Sequence, residues 1–196
     1  MPSEPIILAF DTSAAHCAAA LLSGDRILAS KREEMTRGQA ERLMPLLEEC
    51  LREADLAWAD LTAIGVGIGP GNFTGIRIAV SAARGLALDI PAVGVDGFDA
   101  REKPGTVPGV PAPRDQAYVR LPGQQARLIL RSDAEEQAQA HGLTLLAEAS
   151  PADLAERIAI LAAQRYQTVT APPAPLYLRA ADAAPSSDVP PSLLDA

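Results

Sequence analysis

The chain has 196 residues, of which 48% are apolar and 21% charged, with a mean hydropathy of +0.07 and a formal net charge of -8. That balance suits one soluble unit or two small lobes with a real core, and it argues against a nonspecific grip on a phosphate backbone, so any link to nucleic acid needs a more basic partner. No apolar run reaches the roughly 18 residues of a spanning helix, and the opening Met-Pro-Ser-Glu-Pro lacks the basic and apolar regions of a secretory signal, so a cytoplasmic location without a membrane partner is expected.

In chain order, Ile6 to Ser13 is an apolar run ending in polar groups, His16 to Leu22 is a second run and Ile27 to Glu33 a third. Ser23-Gly24-Asp25 forms the turn between the last two, and the pattern predicts an antiparallel meander. From Gln39 to Ala54, the residues Ala40, Leu43, Leu47, Cys50, Leu51 and Ala54 recur at helical spacing. Pro45 interrupts that pattern. Either the helix bends there, because a prolyl nitrogen has no proton to donate, or a continuous helix begins only near Met44.

Leu61 to Ile68 reads as a strand, Thr74 to Leu88 as a second helix and Ala92 to Val95 as a short buried strand, an α/β order. Beyond Val95, the closely spaced Pro104, Pro108, Pro111 and Pro113 predict loop, and the lobe boundary is placed there. Gln116 to Leu121 and Ala126 to Arg131 predict a hairpin about Pro122-Gly123, Leu143 to Leu146 a further strand, and Ala152 to Arg165 an amphipathic helix. The expected organisation is an N-terminal α/β lobe over residues 1–100, a smaller lobe over 101–180, and a flexible tail over 181–196 rich in Ala, Pro, Ser and Asp.

Residues 65 to 77 read Gly-Val-Gly-Ile-Gly-Pro-Gly-Asn-Phe-Thr-Gly-Ile-Arg, between a strand-like and a helix-like run. Neither the phosphate loop, which needs a Lys after its last glycine, nor the Rossmann spacing is met. Gly69, Pro70 and Gly71 are expected to form a tight strand-to-helix turn, with Asn72 or Thr74 capping the helix and Phe73 anchoring the loop, in preference to direct anion binding. At the end of the first strand, Asp11 and Thr12 form at most a degenerate phosphate loop. Asp11 is the candidate for hydrated magnesium and Thr12 for a phosphate contact, but no glycine follows to open the backbone. The plainer reading is a strand end whose polar side chains satisfy nearby backbone groups.

Cys17 and Cys50 have no metal spacing and read as small buried hydrophobes, and His16 and His141 are the only histidines, so neither a His-based metal site nor a Ser-His-Asp set is expected. In the second helix, Gly75, Ala79 and Ala83 lie four apart on one face, which allows close approach of another helix, while Arg77 and Arg84 share a different face. In the first, Glu41 and Glu48 are seven apart and Leu43, Leu47 and Leu51 form the apolar stripe. An ordinary helix pair packed on its own sheet accounts for the same pattern.

Several blocks together, Ile7 to Ser13, Gln39 to Leu47, Gly69 to Arg77 and Pro175-Leu176-Tyr177-Leu178-Arg179, resemble the TsaB (YeaZ-type) family of bacterial tRNA threonylcarbamoyladenosine biosynthesis. The resemblance implies an actin-like, Hsp70-like fold (ASKHA class) of two unequal lobes, the first ribonuclease H-like, with a degenerate nucleotide site. It implies a non-catalytic role as partner of the paralogous catalytic subunit TsaD, with a TsaE-type ATPase acting through the complex, a homodimer when TsaD is absent, and tRNA met only through the complex. ATP at the interface of that complex is compatible, and no cofactor is expected on this chain alone. The two helices would then build the partner interface, burying about 800 Å² per partner, with Leu43, Leu47 and Leu51 at its centre, Gly75, Ala79 and Ala83 in close approach, and Glu41, Glu48, Arg77 and Arg84 setting orientation at the rim. Where the catalytic paralogue carries two metal-binding histidines, this chain has Gly97 and Arg101. Gln39 replaces a usual histidine, and the proline-rich stretch from Glu102 to Arg114 departs from the family pattern. The rival from another class is an autonomous actin-like ATPase or phosphotransferase.

Overall fold

The computed structural model describes residues 4–178. The three N-terminal apolar runs are β1 (Ile6–Asp11), β2 (His16–Ser23) and β3 (Arg26–Glu34), and they form the expected antiparallel meander. Helix α1 (Gln39–Glu53), strand β4 (Ala63–Gly67), helix α2 (Phe73–Leu86) and strand β5 (Ala92–Val95) follow, and the sheet order is β3-β2-β1-β4-β5, with β4 parallel to both β1 and β5. β1 is apolar from Ile6 to Phe10 because both of its faces are covered. Leu8 and Phe10 point into a cluster with α1 and α2, and Ile7 and Ala9 into another with the helix described last.

Pro45 lies inside a single helix that starts at Gln39, so the alternative start near Met44 falls. A proline in a helix interior costs about 3 kcal/mol. Full burial of a leucine contributes about 1.5–3 kcal/mol, and α1 buries Leu43, Leu46, Leu47 and Leu51 against the sheet. The four together outweigh the proline, which itself sits on the exposed side.

The second sheet contains β6 (Thr106–Ala112), β7 (Gln116–Val119), β8 (Arg127–Leu130) and β9 (Thr144–Leu146) in the order β8-β7-β6-β9, with helix α3 (Arg131–Ala140) packed beside it. The predicted hairpin is β7–β8. One expectation is corrected and one element is new. The stretch holding Pro108 and Pro111, read as loop, is strand β6. Its first part pairs with β9 and its second with β7, so each part has an edge without a ladder where a proline nitrogen leaves no bond unmade. Helix α3 was not anticipated at all: it buries only Ala134 and Ala138, a stripe too small to register as periodicity.

Helix α4 (Pro151–Arg165), where a helix was expected, leaves the second sheet and packs on the open face of the first. Gly65 in β4 makes this close approach possible, because a Cβ there would crowd the Ala162 and Ile158 side chains at 3.0 and 3.1 Å. The expected tail over 181–196 and Arg179 lie outside the described residues.

Candidate functional site

The carboxyl ends of β1, β4 and β5 meet the N-terminus of α2, and the polar residues of the chain's interior gather there. Asp11 ends β1 and is 2% exposed. Its Oδ1 accepts hydrogen bonds from the Ser13 N–H (3.0 Å) and the Ser13 hydroxyl (2.8 Å) and lies 2.7 Å from His16 Nε2. Burial works to raise the Asp11 pKa, but the His16 ring and the two Ser13 donors outweigh it and hold the carboxyl below its ordinary value. These are short-range bonds within one strand-turn-strand unit, of the kind a polar strand end makes for itself.

The glycine block closes onto that turn. The Thr12 hydroxyl donates to the Gly75 carbonyl at 2.7 Å, and the Asn72 N–H donates to the Ser13 carbonyl at 2.6 Å. Asn72, not Thr74, caps α2, its Oδ1 accepting from the Gly75 N–H at 2.8 Å. Gly75 is required by proximity, since a Cβ there would overlap the Thr12 carbonyl oxygen. On its other side the block is held by the Gly97 N–H to the Gly69 carbonyl (2.8 Å) and by the Leu176 N–H to the Ile68 carbonyl (2.8 Å). The turn and the loop are thus zipped together by backbone and side-chain hydrogen bonds. Gly69 sits at φ +93, which suits the tight Gly69-Pro70-Gly71 turn. Phe73, expected to anchor the loop, instead lies 40% exposed at the surface.

Helix faces require the larger correction. Leu43, Leu47 and Leu51 are 1%, 0% and 3% exposed and belong to the chain's own core, as do Ala79 and Ala83 at 0%. They cannot form the centre of an interface, and Gly75 faces the β1 turn and not another helix. The helix-pair-on-sheet arrangement has used both stripes. The residues left exposed on α1 include Glu41, Met44, Pro45, Glu48 and Arg52, and on α2 Phe73, Thr74, Arg77, Ser81 and Arg84. The Arg77 guanidinium lies 3.7 Å above the Phe73 ring, its Nε donates to the Tyr177 hydroxyl at 2.9 Å, and the Phe73 and Tyr177 rings stand 5.0 Å apart. Arg84 Nε donates to the Pro173 carbonyl at 2.7 Å. The arginines thus tie the segment from Pro173 to Tyr177, here called the strap, to α2. Sequence reading missed Tyr177, although the block containing it had been singled out, because nothing local shows that a residue 100 positions away bonds to Arg77 and stacks on Phe73.

Arg101 is 8% exposed; its Nη1 donates to the Gly97 carbonyl at 3.0 Å, and its Nε has no partner among the described residues. Burial pushes its pKa down against the opposing pull of Asp11. His141, the residue that follows α3, is exposed, with its Nδ1 2.8 Å from the Gln137 carbonyl. Among the described residues, no group of three or more His, Cys, Asp or Glu side chains is placed to hold a metal, and no helix is long and apolar enough to cross a membrane.

Comparison with known proteins adds the following. Residues 27–110 match the family model described as TsaD, tRNA N6-adenosine threonylcarbamoyltransferase. The tRNA threonylcarbamoyladenosine biosynthesis protein TsaB of Escherichia coli is 36% identical over 91 residues, covering 45% of this chain and 39% of that protein. The Bacillus subtilis protein of the same name is 39% identical over 95 residues, covering 47% and 42%. The chain therefore spans about two fifths of the length of these two curated relatives. The solved structure of YeaZ from Pseudomonas aeruginosa superposes with a TM-score of 0.65 at 29% identity, over 89% of this chain and 100% of that one.

Proposed function

We propose that this chain, a TsaB/YeaZ-like protein, is a non-catalytic accessory subunit that binds a TsaD-type enzyme and supports its transfer of threonylcarbamoyl to adenosine 37 of tRNA. The two sheets and four α-helices of the described residues are read as an actin-like fold of two unequal lobes. The observation that carries the reading is the zipped β1 turn and glycine block. Thr12 and Ser13 are bonded to Gly75 and Asn72, and Asp11 is tied to His16 and Ser13. These groups stand where an autonomous ATPase would need an open phosphate cradle with a free carboxylate for magnesium. That geometry speaks against the ATPase or phosphotransferase alternative.

The docking surface is the outward face of α1 and α2 in place of the leucine stripe. It carries Met44, Glu41 and Glu48 on one helix and Phe73, Arg77 and Arg84 on the other, with Tyr177 of the strap alongside. Phe, Tyr, Met and Arg are the residue types that anchor interfaces, and carboxylates on one helix beside guanidinium groups on the next fix orientation. Binding here would activate the enzyme only to the extent that it favours the enzyme's competent state. Self-association through the same face in the absence of TsaD, a TsaE-type ATPase joining the complex, and ATP held at the complex interface belong to this reading.

Co-expression with a TsaD-type subunit, size-exclusion chromatography and a tRNA modification assay test it. A stable complex is expected, with modification requiring both chains. Modification by the isolated chain, or micromolar ATP binding with turnover by it alone, would overturn the proposal.

A further inference from the structure

The two sheets do not share an apolar core. The clusters of the first sheet draw on β1 to β5, α1, α2 and α4, whereas that of the second is Val107, Ala117, Val119, Leu121, Ala134 and Ala138, with no member in common. Where the two bodies meet, at the connection after β5, charged side chains flank the buried Phe98 and Val110. Arg120, just past the end of β7, reaches across with both terminal nitrogens, Nη2 to Asp99 Oδ1 at 2.6 Å and Nη1 to Asp96 Oδ2 at 3.3 Å. Arg165, the last residue of α4, takes the other oxygen of Asp99 at 2.8 Å. Asp96 is itself fixed, because its Oδ1 accepts from the N–H groups of Phe98 (2.9 Å) and Asp99 (2.8 Å). The Arg120 guanidinium stands 5.2 Å from the centre of the Phe98 ring, and Phe98 is 1% exposed.

We propose that Arg120, Asp96, Asp99 and Arg165 form an ionic latch that sets the angle between the two sheets, and that breaking it lets the second sheet swing on its two covalent connections. Three separate elements supply the four charges, so no local secondary structure holds them together. Two acids and two arginines balance, so that removing either arginine leaves the acids in excess. Bodies joined by a polar interface and not by a shared core move relative to one another by default, and what restrains them is the specific contact at the joint. The latch side chains are 21–40% exposed. They are therefore open to screening by salt in a way that a buried apolar seam is not. Arg120 bridges two carboxylates with one planar fork, a geometry that a lysine reproduces only in part.

The test is a pair of spin labels on the full chain, at Ser81→Cys on α2 and Glu136→Cys on α3. Both sites are exposed, whereas Cys17 and Cys50 are 0% exposed and stay unlabelled. Arg120→Met keeps the aliphatic stem over Phe98 and removes the charge. Its interlabel distance distribution should be about twofold broader than wild type at 0.15 M salt. Wild type should widen toward that width at 1 M salt, where the screening length falls to about 3 Å. Arg120→Lys should lie between the two. If Arg120→Met fails to fold by circular dichroism, Arg120→Lys and the wild-type salt series decide the matter. Distributions that coincide for wild type and the folded variant, with no response to salt, would overturn the proposal.

Discussion

Leu47 separates the two ways of reading α1. It is 0% exposed and packed in the cluster that joins α1 to Leu8, Phe10 and Ile64 of the sheet. Leu47→Ala removes buried methyl and methylene groups and leaves a cavity that the flanking strands, themselves covered on both faces, cannot easily fill. Substitutions of this kind cost about 2–5 kcal/mol. The site is fully enclosed, so about 3–4 kcal/mol is expected here, and for a chain of this size that lowers the melting temperature by roughly 6–16 °C. Urea denaturation of the isolated chain, with the slope checked for constancy, measures the loss directly. If Leu47 were the centre of an interface, the isolated variant would melt like wild type and fail only in complex formation. A melting temperature within about 2 °C of wild type would therefore refute the burial argument.

Glu41→Arg combined with Glu48→Arg on the outward face should leave the melting temperature nearly unchanged, since both carboxylates are exposed and surface charges contribute little, yet weaken complex formation with a TsaD-type subunit at least tenfold by titration calorimetry; equal affinity would count against the docking face. Gly75→Ala should destabilise by about 1–3 kcal/mol despite alanine's higher helix propensity, because the new Cβ meets a backbone oxygen that cannot move aside; a stabilised variant in thermal melts would show that the turn yields. Asp11 is held below its usual pKa, so its contribution is present above the unfolded value near 4 and is lost as pH falls through the folded value. Wild-type stability should fall as pH drops below about 4, and Asp11→Asn should be less stable at pH 7 with a shallower acid limb; parallel curves would contradict this. Burial pushes the Cys17 thiol up to about 12 and Cys50 to about 11, so neither should react with a thiol reagent at pH 8 until denaturant is added; rapid labelling of the folded chain would show that α1 opens readily.

The first hundred residues were the most legible part of the chain, for a physical reason. The meander, the two helices and the buried strands have long periodic patterns and strong turn punctuation, and each element was found within a few residues of its place. Legibility failed where the signal was weak or long-range. β6 carries prolines that local rules assign to loop, and only its handover between β9 and β7 makes them acceptable. α3 buries two alanines and little else. In the site, helical spacing identified the correct faces but not which side of each faces the sheet: the same period describes a stripe packed inward and one presented to a partner. The zip between the β1 turn and the glycine block joins residues about 60 apart, and only a fold in hand brings them together.

The position of α4 has a consequence for biosynthesis. Its apolar side, Leu154, Ile158, Ala159 and Ala162, lies against Ile7, Ala9, Ala63 and Val93. While the ribosome is still extending the chain through the second sheet, all five strands of the first have emerged with one surface bare. The meander cannot reach its final stability until Arg165 has cleared the exit tunnel, so the nascent polypeptide carries a greasy, chaperone-attracting surface for the time needed to add about 70 residues, on the order of 4–14 s at 5–20 residues per second. A stalled or truncated product ending before α4 should be a target for proteolysis, however well formed its first hundred residues look on paper.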